Sequence, residues 1–362
     1  MIIGTVKEIK DEEYRVGLAP EGVDDLVRLG HQVLVEAGAG AGSGFPDSAY
    51  VQHGATIVRS AADAWAAADL IVKVKEPLAP EFALMRRQQT LFTYLHLATA
   101  PEATRALLEA GATSIAYETV QLPDGSLPLL IPMSQIAGRM ATLVGQRWLQ
   151  HPGPGRGKLL SGLPGSRPAR VVILGAGTVS SNACDVALSL GAQVTVVSER
   201  LSDLRRLEEQ WPRRLTTLPS TAGNIERAII GADLVVSGVL VPGGAAAPKL
   251  VTRDALRRIG EGAVVVDVSI DQGGSFETSR PTSHTEPVFV EEGVVHYCVP
   301  NMPGAVPHSS TLALTAATIS YVIEIARLGV EGAMTADTSL TRGLMTHKGE
   351  LVNAAVKQSL GL

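Results

Sequence analysis

The chain has 362 residues, enough for roughly two domains at about 100–200 residues each. Hydrophobic residues make up 45% and charged residues 19%, which supports buried cores and excludes a disordered chain. Lysine and arginine number 31 against 36 acidic residues, a net charge of −5, and aromatics are 4%; neither a basic face for nucleic acid nor base stacking fits that balance.

Ile2–Val6 reads as a strand and Pro20–Leu29 as a helix, with Val23, Leu26 and Val27 on one face and Gly30 as its stop. His31–Glu36, Leu70–Val74, Thr90–Leu95 and Thr113–Tyr117 continue a βα series, which implies a mostly parallel sheet flanked by helices. Met133–Gln150 predicts a long helix of the kind that links two lobes. Residues 151–168, rich in glycine and proline, mark a boundary or an active-site loop. They are not a phosphate-binding P-loop, because Leu159 follows Gly157-Lys158 and no glycine stands five residues before Gly157.

A second βα series follows: strand Arg170–Leu174, helix Thr178–Leu190, strand Gln193–Val197, helix Leu201–Glu209, then buried strands at Asp233–Val236 and Ala263–Val268. Helices are expected at Ser310–Arg327 and Glu350–Leu360. The first series lacks cover of its own, so these helices are expected to fold back onto it. The predicted division is 1–132 plus 306–362 for a discontinuous substrate and catalytic domain, and 133–305 for a dinucleotide-binding domain. The fold class is α/β, with two Rossmann-like lobes and a cleft between them.

The two cysteines, Cys184 and Cys298, have no CxxC partner, which excludes zinc-ribbon and thioredoxin motifs. They read as small core residues of a reduced, cytoplasmic protein. The opening MIIGTVKEIKDEE has no apolar signal-peptide core, and no uninterrupted apolar run of about 18 residues predicts a membrane span. The histidines show no metal-ligand spacing, so no metal is expected.

The apolar strand Val171–Leu174 runs into Gly175-Ala176-Gly177 and then a helix opening on Thr178 and Val179, which is the setting a dinucleotide fingerprint requires. Gly175 suits the tight turn. Gly177 lets the backbone approach a pyrophosphate at the helix start. Ser180 stands in place of the third glycine. The second strand ends in Ser198, with Glu199 next. An acid there holds the ribose hydroxyls of NAD, whereas a serine with a nearby arginine suits the 2′-phosphate of NADP, which Glu199 would repel. Arg200, Arg205 and Arg206 read as a solvated helix face.

Arg15-Val16-Gly17-Leu18-Ala19-Pro20, Lys73-Val74-Lys75-Glu76-Pro77, Phe92-Thr93-Tyr94-Leu95-His96-Leu97, Pro132-Met133-Ser134, Asp271-Gln272-Gly273-Gly274 and Asn301-Met302-Pro303 occur in this order around the glycine loop. Over essentially its whole length the chain resembles the alanine dehydrogenases, in the family they share with the NAD-binding subunit of proton-translocating transhydrogenase. Lys75 and His96 favour the dehydrogenase branch. The resemblance implies a homohexamer that interconverts L-alanine with pyruvate and ammonia using NAD. It implies that Arg15 and Lys75 bind the substrate carboxylate and carbonyl oxygen, that His96 is the acid/base, and that Asp271 faces the reacting carbon and the ammonia. Met133, Ser134, Asn301 and Met302 would line the substrate and nicotinamide pocket, and Val239, Leu240 and Val241 would border the dinucleotide.

The residue types suit that chemistry. Arginine grips a carboxylate through two N–H bonds. Histidine exchanges protons near neutrality. A carboxylate stabilises a developing iminium. Departures from the family pattern fall at Ser180, Ser198, at Gln135 in place of glutamate, at Ala316 in place of asparagine, and in a loop 242–248 that is one residue longer. Two other readings stand beside the leading one: an NADP-preferring enzyme acting on another small 2-amino acid, and a nucleotide-binding relative without catalysis.

Overall fold

A computed structural model describes residues 1–241 and 246–361; most of the longer loop at 242–248 lies outside the described residues. The chain forms two compact units, Met1–Met133 with Gly304–Leu362, and Ser134–Pro303. The first unit takes strands β1 (Ile2–Thr5), β2 (Gln32–Glu36), β3 (Thr56–Val58), β4 (Leu70–Val72), β5 (Thr90–Thr93) and β6 (Thr113–Ala116). The second takes β7 (Arg170–Leu174), β8 (Gln193–Ser198), β9 (Leu215–Pro219), β10 (Leu234–Ser237), β11 (Val264–Asp267), β12 (Val288–Glu291) and β13 (Val294–Tyr297). The chain then returns to the first unit with β14 (Leu344–His347) and β15 (Glu350–Leu351).

The first sheet has the order β15-β14-β6-β5-β4-β1-β2-β3, parallel from β6 to β3. The second has the order β12-β13-β11-β10-β7-β8-β9, parallel apart from its β12 edge. The strands are continuous apolar runs because helices cover both sheet faces. Alternate residues of β7 feed opposite cores. Val171 and Ile173 pack with Ala183, Ala187 and Val266, while Val172 and Leu174 pack with Ile225, Ile229 and Phe276. In each sheet the chain reverses its direction of winding at one place, between β1 and β4 in the first and between β7 and β10 in the second. Ligands of open α/β sheets bind outside the carboxyl ends of the strands at such a reversal.

The expected helix at Glu350–Leu360 opens as strand for two residues. Glu350 and Leu351 pair back onto His347 and Thr346 through a two-residue turn. Lys348 (φ +51°) and Gly349 (φ +88°) both adopt the left-handed conformation that such a hairpin needs. The helix starts only at Ala354, where the Asn353 side chain accepts from the Val356 N–H at 3.1 Å. Met345, Leu351 and Val356 share a core with Val6, Ile71, Leu91 and Leu107, which ties the C-terminal segment to the N-terminal sheet. The helix expected at Ser310–Arg327 runs over Pro307–Ala336, with a non-helical Gly329 (φ +69°) inside it. It has the length and hydropathy of a membrane span, yet it buries Leu314, Thr318, Val322 and Ile325.

Residues 151–168 carry no helix or strand beyond one bridge between Leu163 and Ser166. Arg156 and Lys158 both pair with Asp233, at 3.1 and 2.8 Å, and Arg156 also donates to the Gly260 and Glu261 carbonyls. This segment is therefore a brace on the second unit.

Candidate active site

In the first unit, Arg15 lies in the loop after β1, Lys75 just past β4, and His96 just past β5, so all three sit at carboxyl ends around the β1/β4 reversal. Gly17 makes the first loop fit. A Cβ there would stand 2.4 Å from the Val72 carbonyl oxygen and 2.9 Å from the Lys73 nitrogen, so only glycine lets this loop lie on the end of β4.

Arg15 is 2% exposed. Its Nε and Nη2 donate to the two carboxylate oxygens of Glu13 at 2.6 and 2.5 Å, and its Nη1 lies 3.0 Å from Met133 Sδ. Lys75 is 9% exposed. Burial, and then the Arg15 charge, push its ammonium below the usual lysine range. Its backbone is fixed on both sides: the N–H donates to Glu8 Oε1 at 3.2 Å, and the carbonyl accepts from Thr93 Oγ1 at 2.9 Å. Glu8 also accepts from the Val74 N–H at 2.6 Å. Behind it, the fully buried Lys73 ammonium pairs with Glu81 at 2.6 Å and Glu8 at 3.2 Å. Burial raises the Glu8 carboxyl, with the Lys73 charge opposing it.

His96 adopts a left-handed backbone (φ +46°, ψ +40°), uncommon for a residue with a side chain. Glu118 holds it there, accepting from the His96 N–H at 2.6 Å and the Leu95 N–H at 3.2 Å, with the same carboxylate 3.8 Å from His96 Nδ1. The imidazole is 47% exposed and lies parallel to the Tyr94 ring. Met133, buried, and Ser134 begin the long helix Ile131–Trp148.

In the second unit, the Gly175 N–H donates to the Val197 carbonyl at 2.7 Å, joining the glycine turn to β8. Gly175 has φ +97°, a value that requires glycine in this tight turn. Gly177 is the N-cap of the helix Thr178–Ser189, and no side chain caps that end. A Cβ on Gly177 would meet nothing within 4 Å, so an anion has room to approach the helix N–H groups. Ser180 is buried, and its hydroxyl donates to the Leu174 carbonyl at 3.3 Å. It fits because residue 238 is glycine: a Cβ there would stand 2.7 Å from Ser180 Oγ and from Val179 Cγ1.

Ser198 ends β8 and is 7% exposed, while Glu199 is exposed. Val239, Leu240 and Val241 follow β10, and the Gln272 amide clasps Val241 through both its N–H and its carbonyl, at 2.9 and 2.8 Å. Asp271 is exposed, in the 3₁₀ turn Val268–Gln272 after β11. That turn is held by the buried Asp267 carboxylate, which accepts from the Ser269 and Ser275 N–H groups and from the Ser279 hydroxyl at 2.6 Å. Burial nevertheless raises the Asp267 carboxyl above the ordinary range. Asn301 (φ +55°) follows β13, and Met302 behind it is buried. The second-unit dinucleotide candidates after β7, β8, β10, β11 and β13 thus share the carboxyl end of one sheet. Those of the first unit share the carboxyl end of the other.

Sequence reasoning passed over Glu8, Glu13, Glu118 and Gly238, and quoted Gln272 only within the motif after Asp271. Gly238 adjoins Val239, which it singled out. The three glutamates act on their partners through the fold. Among the described residues, no cluster of His, Cys, Asp and Glu has the makings of a metal site. Both cysteines are free and buried, with their thiols pushed up to about 12 by burial.

Comparison with known proteins gives a consistent result. Residues 4–137 match the alanine dehydrogenase/PNT N-terminal domain, and residues 141–354 match its C-terminal domain. An alanine dehydrogenase of Mycolicibacterium smegmatis is 50% identical over all of this chain and 97% of its own length. A solved L-alanine dehydrogenase is 49% identical with a TM-score of 0.97, covering 100% of this chain and 99% of the other. A transhydrogenase structure from Sinorhizobium meliloti is 27% identical, with a TM-score of 0.83 over 98% of this chain and 100% of the other. The two-sheet architecture, the strand-end positions of the motif residues and these full-length matches agree: the chain belongs to the alanine dehydrogenase/PNT family.

Proposed function

We propose that this chain catalyses the reversible oxidative deamination of L-alanine to pyruvate and ammonia with a nicotinamide dinucleotide. The observation that carries this reading is the placement of Arg15, Lys75 and His96 at the carboxyl ends of β1, β4 and β5, around the winding reversal of one sheet. Bound at the Gly175–Gly177 turn, the dinucleotide supplies the hydride acceptor.

The chain's own groups do the rest. Arg15 grips the substrate carboxylate. Lys75 hydrogen-bonds the oxygen that becomes the pyruvate carbonyl. Hydride loss from Cα leaves an iminium, whose positive charge the Asp271 carboxylate stabilises. Water adds at that carbon as His96 takes one of its protons; His96 returns that proton to nitrogen, and as the C–N bond breaks and ammonia leaves, the remaining hydroxyl proton passes to His96 and the pyruvate carbonyl forms. Met133, Ser134, Asn301 and Met302 line the substrate and nicotinamide, and Val239–Val241 border the dinucleotide. NAD is the form the family resemblance favours; the neutral Ser198 favours NADP.

The free buried thiols support a reduced cytoplasmic setting. The family resemblance supports a homohexamer, which light scattering on the purified protein tests. The reaction itself is tested by following oxidation of reduced nicotinamide in the presence of pyruvate and ammonia. Steady turnover that stops when ammonia is withheld supports the reading. Absence of turnover with both NADH and NADPH overturns it.

A further inference from the structure

We propose that the adenosine-ribose end of the dinucleotide site admits a 2′-phosphate, and that Arg206, on the helix Leu201–Gln210, is the residue that meets it. The proposal rests on the dinucleotide reading above. Arg206 is exposed, yet its guanidinium is tethered at one end. Its Nη2 donates to the carbonyl of Ala176, between the two loop glycines, at 2.9 Å, and to Ser181 Oγ at 3.2 Å. The guanidinium is thus moored by one nitrogen to the glycine turn itself. Nη1 and Nε make no hydrogen bond among the described residues, and no carboxylate there neutralises the charge. Its neighbour Arg200 differs, since Asp203 takes its Nε at 3.4 Å.

The mooring point lies where the ribose belongs. The Gly175 N–H bonds the Val197 carbonyl, so the turn that holds Arg206 abuts the end of β8, whose last residue is Ser198. A carboxylate at that place would accept from the ribose hydroxyls and repel a phosphate. Ser198 offers a hydroxyl without charge. A neutral donor at the strand end and an unneutralised, pre-positioned guanidinium on the glycine turn together form an anion site. Glu199, exposed and adjacent, opposes it. With Nη2 engaged, the two nitrogens left over lie on different edges of the guanidinium, so the contact to the phosphate is a single charge-assisted hydrogen bond rather than a fork.

The test is equilibrium titration of NADH and NADPH, read by nicotinamide fluorescence, on the full-length wild type, Arg206→Gln, Arg206→Lys and Glu199→Gln, with circular dichroism to confirm folding. We expect the preference ratio, Kd for NADH over Kd for NADPH, to fall about tenfold or more in Arg206→Gln, the scale of one charge-assisted hydrogen bond. Arg206→Lys should keep most of the ratio, and Glu199→Gln should raise it. An unchanged ratio in Arg206→Gln overturns the proposal, whether both affinities fall together, as for a pyrophosphate contact, or neither moves. Tight NADH binding by the wild type with no measurable NADPH binding overturns it too while leaving the dinucleotide reading intact. Failure of the wild type to bind either dinucleotide overturns both.

Discussion

Glu118 accepts a hydrogen bond from the peptide N–H of His96 at 2.6 Å and sets the same carboxylate 3.8 Å from the His96 imidazole nitrogen. One side chain therefore fixes the backbone of the proposed acid/base and stands beside its ring. The left-handed turn at His96 is not self-supporting, because a residue with a Cβ avoids that region unless its surroundings hold it there. Glu118→Gln keeps an acceptor for the N–H groups and removes the charge; we expect kcat to fall about tenfold with little change in Tm. Glu118→Ala also orphans the Leu95 and His96 N–H groups, which costs about 1–3 kcal/mol each where water cannot reach them, and lowers both kcat and Tm. Wild-type kinetics in Glu118→Gln would show that the carboxylate charge is irrelevant.

Gly238 and Ser180 are a matched pair. A Cβ at 238 would meet Ser180 Oγ and Val179 Cγ1 at 2.7 Å, closer than real side-chain contacts come. Gly238→Ala is therefore expected to destabilise the protein by about 1–3 kcal/mol and to weaken dinucleotide binding, since the strain falls on the first turn after the glycine loop. Ser180→Gly in the same chain removes one of the two clashes and should recover part of the loss. The double-mutant cycle, read from denaturant unfolding, should give a coupling larger than about 0.5 kcal/mol. Strict additivity would show that the two residues do not compete for space.

The parallel strands were legible because a strand buried on both faces must be a short apolar run, as in Val264–Val266 and Leu70–Val72. The glycine turn was legible because only a few residues permit φ +97° or an open approach to a helix end. Glu8 and Glu118 were not. A carboxylate that hydrogen-bonds a peptide N–H 22 or 66 residues away leaves no local pattern, and in sequence it looks like any surface acid. The C-terminal hairpin was misread because two strands of four and two residues are too short to show alternation; the Lys348-Gly349 turn was the available signal. Arg206 is exposed, as read, but its tether to a backbone carbonyl 30 residues upstream leaves no local pattern.

Asp233 shows what the basic residues of the 151–168 segment are for. Burial pushes its carboxyl up, but hydrogen bonds from Lys158, the Arg170 N–H and Arg156 outweigh this and hold it below its ordinary 3.8. A carboxyl lowered by folding stabilises the native state above its unfolded pKa, and the contribution is lost as pH falls through the folded value. The wild type should therefore lose stability as pH drops below 3.8. Asp233→Asn should be about 2 kcal/mol less stable at neutral pH, a discount from a fully buried pair because both cations are partly exposed. Its stability should also fall less steeply in acid. Parallel acid curves for the two proteins would remove Asp233 from the pH response.

Lys75 offers the sharpest pH test of the proposed site. Burial and the Arg15 charge lower its pKa below the ordinary 10.5, so the ammonium is lost earlier on raising pH than in a free lysine. If the charged form must hold the developing carbonyl oxygen, kcat/KM for the free enzyme falls on an alkaline limb that lies below pH 10.5. Lys75→Arg keeps a donor that does not titrate there, so its residual activity should lack that limb. Lys75→Met should cost at least about a hundredfold in kcat/KM, the scale of a lost charge-assisted bond to a reacting oxygen. The linkage also runs through stability. Between the lowered folded pKa and 10.5 the unfolded chain binds more protons, so stability contributed by this group rises with pH across that window. Activity and stability should therefore move in opposite directions as pH rises through it in the wild type, and Lys75→Met should abolish that divergence. An alkaline limb that survives unchanged in Lys75→Arg would assign it to another group and remove Lys75 from the proton ledger.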